Sequence, residues 1–270
     1  QRLFKNLIHY TLIAVPFFVL AGVILEKAGL AATIAHFFEL VVGKAVGGLA
    51  MVAVMTCMFW GALSGSGPAT TAAVGLILLA PMVKHGYDKH FAAATIANAS
   101  DLSIIIPPSI AFIIYGTITN VSVSALFVAG IIPAILVTIL FIICIYIRCR
   151  FAPEQGPPGE TFSWKAKLKS LSGLIDTLAV FGLVMGGLFF GFFTPTEAAA
   201  VGAFGVLVVS MLRRQLTWQG FVKSLYETLR TSCMVLLLIA GAVVFGKFLA
   251  ITRIPFNIAA WIGGFDLPPY

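Results

Sequence analysis

Apolar runs of membrane-spanning length recur along this chain and limit what it can fold into. Three of them cover residues 123–147, 171–193 and 232–250, and the last two carry only Asp176 and Lys247 as charged residues. A helix needs ~20 apolar residues to cross ~30 Å of hydrocarbon, so each run approaches one span. Hydrophobic residues make up 60% of the chain and charged residues 10%, whereas soluble domains have roughly 45–50% and about 25%. We therefore predict an all-α polytopic membrane protein.

Two polar stretches rich in lysine and arginine predict which loops face the cytoplasm. One follows the run 123–147 and the other follows the segment 197–212. Their basic residues are Arg148, Arg150, Lys165, Lys167, Lys169, Arg213, Arg214, Lys223 and Arg230. The positive-inside rule places both stretches in the cytoplasm, which agrees with two apolar segments crossing out and back between them. The net charge of +7 therefore reflects topology, because no basic cluster is interleaved with aromatic residues as nucleic-acid binding would require.

The segment between Lys44 and Lys84 is predicted to enter and leave the membrane on one face. Both ends carry a lysine of the cytoplasmic type, and the stretch SGSGP at 64–68 interrupts the apolar sequence between them. The legs 47–62 and 69–83 have about 16 and about 15 residues, which is short for full spans of ~20 residues. A re-entrant hairpin with its tip inside the membrane explains this pattern better than two full spans.

The residues of the tip are suited to leaving helical geometry where bulk water is absent. Glycine permits a positive φ, and Pro68 fits the first turn of a new helix. The hydroxyls of Ser64 and Ser66, with carbonyls freed by the break, are oxygen ligands for a Na⁺-like cation, and the start of the second leg favours a carboxylate. Close packing of membrane helices through small residues is the alternative explanation.

A second break is predicted within the segment 91–115, which should also cross the bilayer. The pair Pro107-Pro108 removes two N–H donors and frees carbonyls around residues 103–105. Asp101 is a carboxylate at membrane depth, where it needs a cation, a proton or hydrogen-bond donors. The alternative is that local hydroxyls satisfy it at a packed interface. Two discontinuous elements close in sequence point to a transporter site near the midplane.

Enzymatic chemistry has little support in the sequence. No pair of cysteines has CxxC spacing, and we interpret all four as structural thiols: Cys57, Cys144, Cys149 and Cys233. A protease nucleophile at Gly65-Ser66-Gly67 needs a histidine base, but the histidines lie in the polar turn KHGYDKH or far away in sequence. The nucleotide-binding motif GxxxxGK[ST] does not occur. We predict that the protein is not an enzyme and that it uses no cofactor other than a coupling ion.

Five stretches of the sequence occur in an order that is specific to one family. They are QRLFKNLIHYTLIAVPFFVLAG, SGSGPATTAAVG, HGYDKHFAAATIANASDLSIIIPPSIAFIIYG, VSALFVAGIIPAIL and FTPTEAAAVGA. In that order they resemble the large membrane subunit of tripartite ATP-independent periplasmic (TRAP) transporters. The resemblance runs from Gln1 to the C-terminus, and the pieces PPSI and PTEAAAVGA are its most specific parts.

The resemblance implies an elevator-type secondary transporter of the bacterial inner membrane, driven by a Na⁺ gradient. It implies import of an organic acid of the sialic acid or dicarboxylate class. Its partners would be a periplasmic substrate-binding protein and a small four-helix membrane subunit. By position, hydroxyl and backbone oxygens would hold one Na⁺ at Ser64, Ser103, Ile106 and Pro108. The substrate region would be lined by Ser66, Gly67, Thr70 and Asp101.

Two departures from the family pattern bear on this site. Gly67-Pro68 stands where family members carry a small residue and valine, and residues 100–104 replace a GTxGP-like run. The resemblance also implies that the family's first crossing precedes Gln1 and that a second re-entrant hairpin follows Tyr270. A passive channel, or an inactive structural fragment of the permease, is the alternative function.

The predicted layout has six parts. They are N-terminal scaffold or arm helices (1–45), part of a transport domain (46–115) with the hairpin near 61–83 and the broken helix at 91–115, a transmembrane helix (116–150), a cytoplasmic loop (151–170), scaffold helices with a cytoplasmic connection (171–231), and the truncated start of a second transport half (232–270).

Overall fold

A computed structural model describes residues 10–159, 167, 170, 171 and 173–263. All regular secondary structure within these ranges is helical, which confirms the predicted all-α class. A 3₁₀ turn at Tyr10–Ile13 precedes the first helix. The helices are α1 (Ala14–Lys27), α2 (Leu30–Val42), α3 (Gly48–Ser64), α4 (Gly67–Lys84), α5 (Lys89–Ser100), α6 (Leu102–Ile105), α7 (Ile110–Thr119), α8 (Val123–Phe151), α9 (Ile175–Phe189), α10 (Pro195–Leu212), α11 (Trp218–Thr252) and α12 (Ile254–Gly263).

Five helical segments in the described ranges are long and apolar enough to cross a membrane. They are Tyr10–Lys27 (the 3₁₀ turn with α1), α4, α8, α10 and α11. A sixth span results if the bent run from α5 to α7 counts as one pass. Helices α3 and α9, with 17 and 15 residues, are shorter. The chain is therefore polytopic, as predicted.

Helix α3 lies at the centre of the larger core because its surface is apolar on every side. Of its 17 residues, 14 are buried, which is typical of a helix enclosed by other elements. It packs against α1, α2, α4, α5, α6 and α8, and one cluster of buried side chains surrounds its residues Cys57 and Trp60. This packing holds the pair α3–α4 and the broken run α5–α7 in one body with α8.

A second group of helices packs around α1. Helix α1 contacts α10 and α11, and α9 packs on α10. Two partly exposed ion pairs join these helices: Lys27 Nζ lies 3.2 Å from Glu227 Oε1, and Arg213 Nε lies 2.6 Å from Asp176 Oδ2. Exposed pairs of this kind contribute roughly 0–1 kcal/mol each. Apolar packing against α1 therefore supplies most of the cohesion of this group.

Helix α11 begins earlier than the apolar run predicts. The expected span starts at Ser232, but the helix runs without interruption from Trp218 to Thr252. Thr217 caps its first turn by accepting the N–H of Gly220 over 3.1 Å. In the first, more polar half of the helix, three hydroxyl side chains at four-residue spacing are buried, namely Ser224, Thr228 and Ser232. Mean hydropathy along the sequence does not detect such a stripe, because its hydroxyl residues count as polar although they are buried.

The chain after α8 forms a strap across the base of the α3–α4 pair. We use "strap" for residues 152–159, the described start of the loop predicted at 151–170. Gly47 donates its N–H to the carbonyl of Gly156 over 3.0 Å, and Gly159 donates to the carbonyl of Gly43 over 3.1 Å. These bonds tie the end of α8 to the backbone that leads into α3.

Tyr87, in the turn between α4 and α5, joins the strap to α3. Its hydroxyl accepts the N–H of Leu49 and donates to the carbonyl of Pro157, each over 3.1 Å. The N–H of Leu49 belongs to the first turn of α3, where backbone donors have no intrahelical acceptor. The side chain is 4% exposed, and burial raises the pKa of Tyr87 to about 12. The phenol therefore keeps the proton that it donates to Pro157.

Tyr87→Phe should destabilise the protein by about 1–3 kcal/mol, because it leaves a buried N–H and a carbonyl without their partner. Thermal unfolding of the purified full-length protein in detergent measures the effect. Tyr226→Phe is the matched control, since Tyr226 is 70% exposed on α11 and surface changes stay within about 0.5 kcal/mol. An unfolding temperature equal in both variants would contradict the role given to the Tyr87 hydroxyl.

Candidate functional site

The chain leaves helical geometry between α3 and α4 at two residues. Gly65 has φ 62° and ψ 14°, in the left-handed region that favours glycine, and Ser66 is extended with φ −131° and ψ 118°. Helix α4 then starts at Gly67, with Pro68 in its first turn. The predicted break at 64–68 is confirmed. That the hairpin re-enters a membrane stays a prediction.

A second departure from helical geometry follows α6. Ile106 is extended with φ −77° and ψ 133°, and the bond between Pro107 and Pro108 is cis. Ser109 then caps α7 by accepting the N–H of Phe112 over 3.3 Å. The helical runs on the two sides of this break are bent by 44°. The predicted interruption at the proline pair is confirmed.

The two breaks lie against each other in the interior. The amide of Ile110 donates to the carbonyl of Gly65 over 3.3 Å. A Cβ atom on Gly65 would lie 2.6 Å from the carbonyl oxygen of Pro108, and one on Gly61 would collide with the Cα of Ser103. Glycine thus serves close packing at residue 61 and the change of direction at residue 65. The two breaks are therefore direct neighbours in the fold.

Hydroxyl and carbonyl oxygens meet at the first break. Ser64 Oγ lies 3.3 Å from Thr70 Oγ1, and Thr70 Oγ1 donates to the carbonyl of Ser66 over 2.8 Å. Ser64 is 3% exposed and Thr70 is 0% exposed. Ser66 is half-buried, and Gly67 is buried against the side chain of Ile104. A predicted cation ligand, Ser64, is thus in contact with a residue predicted for the substrate, Thr70.

The second break carries a similar set of oxygens. The hydroxyl of Ser103 donates to the carbonyl of Ser100, and that of Ser109 donates to the carbonyl of Ile104. Ser103 and Ser109 are fully buried, and Ile106 is half-buried. Sequence reasoning missed Ser109. Its signal is a serine directly before an apolar helical run, which is typical of a helix N-cap.

Asp101 stands apart from these oxygens. It joins α5 to α6, and its amide donates to the carbonyl of Asn98 over 3.2 Å. Its side chain is exposed, and within the described ranges no group donates a hydrogen bond to its carboxylate. Pairing with local hydroxyls, the alternative weighed for this residue, is therefore not what the structure shows. The membrane depth of Asp101 stays a prediction.

Neutral oxygens dominate the ligand set at the breaks. The described part of the chain contains no group of three His, Cys, Asp or Glu side chains that could hold a metal ion. Ca²⁺ sites in proteins rely on carboxylates for much of their charge, so hydroxyls and carbonyls at Ser64, Ser103 and the two breaks suit a monovalent ion better. The residues present fit a Na⁺-type cation.

The contact between the two helix groups changes character along its length. Beside the breaks lies a small apolar cavity of 30 Å³, which both groups line with residues that include Leu63, Pro108, Phe18, Thr177 and Val206. At the turn between α7 and α8, far from the strap, two larger cavities of 440 and 300 Å³ share Thr117 and Asn120. The two groups are thus packed closely near the breaks and separated by wider space, with a mixed polar and apolar lining, at that end.

Known proteins resemble the chain over its whole length. Residues 1–270 match the family model "Tripartite ATP-independent periplasmic transporter, DctM component". The C4-dicarboxylate TRAP transporter large permease protein DctM of Pseudomonas aeruginosa is 39% identical, over 100% of this chain and 63% of that protein. The sialic acid TRAP transporter large permease protein SiaM of Vibrio cholerae is 34% identical, over 96% and 60%. The isethionate TRAP transporter permease protein DctMQ of Oleidesulfovibrio alaskensis is 35% identical, over 96% and 41%.

Two helix breaks that pair inside a multi-pass helical body thus occur in a chain whose relatives are named as permease proteins of TRAP transporters. The chain belongs to the DctM component family of tripartite ATP-independent periplasmic transporters, as the sequence resemblance predicts. It is a multi-pass protein of the bacterial inner membrane. The chain spans 63% of the length of its P. aeruginosa relative.

Gly61→Ala should push the α3–α4 pair away from the second break, because its Cβ would meet the backbone of Ser103. Overpacking against an unyielding neighbour costs typically about 1–3 kcal/mol, which thermal unfolding of the full-length protein would show. The matched control is Gly241→Ala on α11, where a Cβ meets nothing within 4 Å. Equal stability of the two variants would contradict the close packing described for Gly61.

Proposed function

We propose that this chain is part of the permease of a Na⁺-coupled secondary transporter that imports an organic acid. The observation that carries the proposal is the pairing of the two breaks through the bond from Ile110 to Gly65. Interrupted helices that meet inside a bundle are the usual architecture of ion and substrate sites in transporters. The family membership supports the same class of activity.

The cation site is assigned to four residues on the facing sides of the breaks. Ser64 and Ser103 contribute hydroxyls, and Ile106 and Pro108 contribute backbone carbonyls. Ser64 and Ser103 are 3% and 0% exposed, so a cation between them would replace internal hydrogen bonds rather than bulk water. Binding of Na⁺ supplies positive charge at a place where the protein itself offers only neutral oxygens.

The substrate region is assigned to the start of α4 and its surroundings, namely Ser66, Gly67, Thr70 and Asp101. The first turn of an 18-residue helix directs N–H groups and a partial positive charge toward its N-terminal end, which favours a carboxylate. Relatives are named for C4-dicarboxylate, sialic acid and isethionate, all of which are organic acids. The exposed carboxylate of Asp101 repels such a substrate, so bound Na⁺ is expected to favour its binding. We assign the sialic acid or dicarboxylate class.

The movement is assigned to the body that contains α3 to α8. The strap and Tyr87 tie both ends of the α3–α4 pair to the end of α8, so these elements move as one unit. The second group around α1 presents an apolar surface beside the breaks, along which that unit can slide. Alternating access of the elevator type follows from such sliding.

The complete transporter is proposed to contain further proteins. We propose as partners a periplasmic substrate-binding protein that delivers the organic acid and a small four-helix membrane subunit. The remaining length of the permease would supply the other half of the transport site. Channel activity is the competing function, and it differs because a channel conducts without a binding protein.

The proposal predicts Na⁺-dependent uptake by the full-length permease in liposomes with its membrane partner and binding protein. Ser64→Ala with Asp101→Asn should raise the Na⁺ concentration for half-maximal uptake by roughly tenfold, which corresponds to about 1.4 kcal/mol, because the first change removes an oxygen ligand of the cation and the second removes a negative charge that attracts it. The control pair is Thr252→Ala with Glu154→Gln, both at exposed positions. Unchanged Na⁺ dependence in the first pair would overturn the site assignment, and current without binding protein would overturn the transporter class.

A further inference from the structure

Five cationic side chains, all exposed, converge at the base of the α3–α4 pair. They come from three separate parts of the chain: the turn before α3, the turn between α4 and α5, and the end of α8. We call this set the basic rim, and its members are Lys44, Lys84, Lys89, Arg148 and Arg150.

Contacts made by the strap and by α8 bring the three parts together. The guanidinium of Arg148 lies 5.4 Å from the ring centre of Phe91, in the first turn of α5, and its Nε donates to Gln155 over 2.9 Å. A Cβ on Gly86 would lie 3.8 Å from Pro157, which places the α4–α5 turn beside the strap. The bond from Gly159 to the carbonyl next to Lys44 closes the arrangement.

Among the described residues, carboxylates do not neutralise this rim. Asp88 lies in the turn between α4 and α5, and Glu154 lies in the strap. Asp88 is engaged as the N-cap of α5, where it accepts the N–H of Phe91 over 2.8 Å. None of the ion pairs found in the described ranges involves a member of the basic rim. The rim therefore carries an excess of positive charge.

Large apolar side chains are exposed directly beside the cations. Val83 stands next to Lys84, and the last turns of α8 expose Tyr146, Ile147 and Phe151, the last with 86% of its surface accessible. This apolar border continues along the exposed face of α8, which is long and apolar enough to span a membrane. A water-soluble anion would leave the border in water, whereas a lipid would cover it.

We propose that the basic rim binds the headgroup of an anionic phospholipid, with its acyl chains against the exposed end of α8. The cytoplasmic leaflet is rich in such lipids, and clustered Lys and Arg residues at the cytoplasmic ends of helices attract them. Tyrosine side chains such as that of Tyr146 are enriched at the same interfacial depth. One member of the rim has a defined position, because Arg148 is held by Phe91 and by Gln155.

The basic rim lies on the body α3–α8, which we propose as the moving part of the transporter. The following consequence rests on that proposal. A lipid bound to the rim travels with α3–α8 and favours the position in which the rim remains at the headgroup level. The anionic lipid content of the leaflet would then shift the balance between the two orientations of the transporter.

The test measures lipid binding directly, so it does not depend on transport. Purified full-length permease in a neutral detergent is titrated with short-chain dioctanoyl phosphatidylglycerol, with dioctanoyl phosphatidylcholine and with glycerol 1-phosphate. We expect the first to bind most tightly. Replacing Lys84, Lys89 and Arg150 by glutamine should weaken its binding by roughly fivefold for each residue, on the order of 100-fold together at low salt.

The matched control replaces Arg214, Lys223 and Arg230 by glutamine, three exposed cations near the start of α11. This control should keep the affinity for phosphatidylglycerol within about twofold. Equal losses in the two variants would overturn the proposal in favour of general electrostatics. Equal binding of glycerol 1-phosphate would show a site for free phosphate, and equal binding of phosphatidylcholine would remove the role of charge. Either result would leave Na⁺-coupled uptake untouched.

Discussion

Main-chain polar groups that leave a helix in an apolar interior must find partners, and the whole arrangement depends on how this chain meets that need. Unpaired groups cost several kcal/mol each in hydrocarbon. The carbonyl of Gly65 and the amide of Ile110 satisfy each other across the two breaks, so each interruption is stable because the other exists. The absence of a side chain at Gly61 and Gly65 lets the two backbones approach. Hydroxyls of Thr70, Ser103 and Ser109 then donate hydrogen bonds to further backbone carbonyls near the breaks.

Both breaks could be read from the sequence, because their causes are local. Glycines and Pro68 mark the first one, and the pair Pro107-Pro108 marks the second. Contacts between residues far apart in sequence could not be read in the same way. The bond from Ile110 to Gly65 and the packing of Gly61 on Ser103 depend on tertiary structure, as does the exposure of Asp101. The start of α11 at Trp218 could not be predicted either. The first half of this helix has the polar composition of a loop, although its hydroxyl side chains are buried.

The two helix groups are held by different forces, and this difference fits their proposed roles. Around α3, apolar packing on every side combines with backbone bonds from the strap and with the two bonds of Tyr87. Around α1, cohesion comes from apolar contacts and from exposed ion pairs such as Lys27 with Glu227. Near the breaks, the contact between the groups is apolar. Apolar surfaces lack directional bonds, so one group can shift along the other at modest cost.

The strap also sets an order of events during synthesis of the chain. The α3–α4 pair ends at Lys84. The acceptor of the Tyr87 hydroxyl is the carbonyl of Pro157, which lies 70 residues after Tyr87 in the chain. In a growing polypeptide the base of this pair therefore stays open while the long helix α8 leaves the ribosome and enters the bilayer. The insertion machinery must tolerate an incompletely bonded α3–α4 pair throughout this interval.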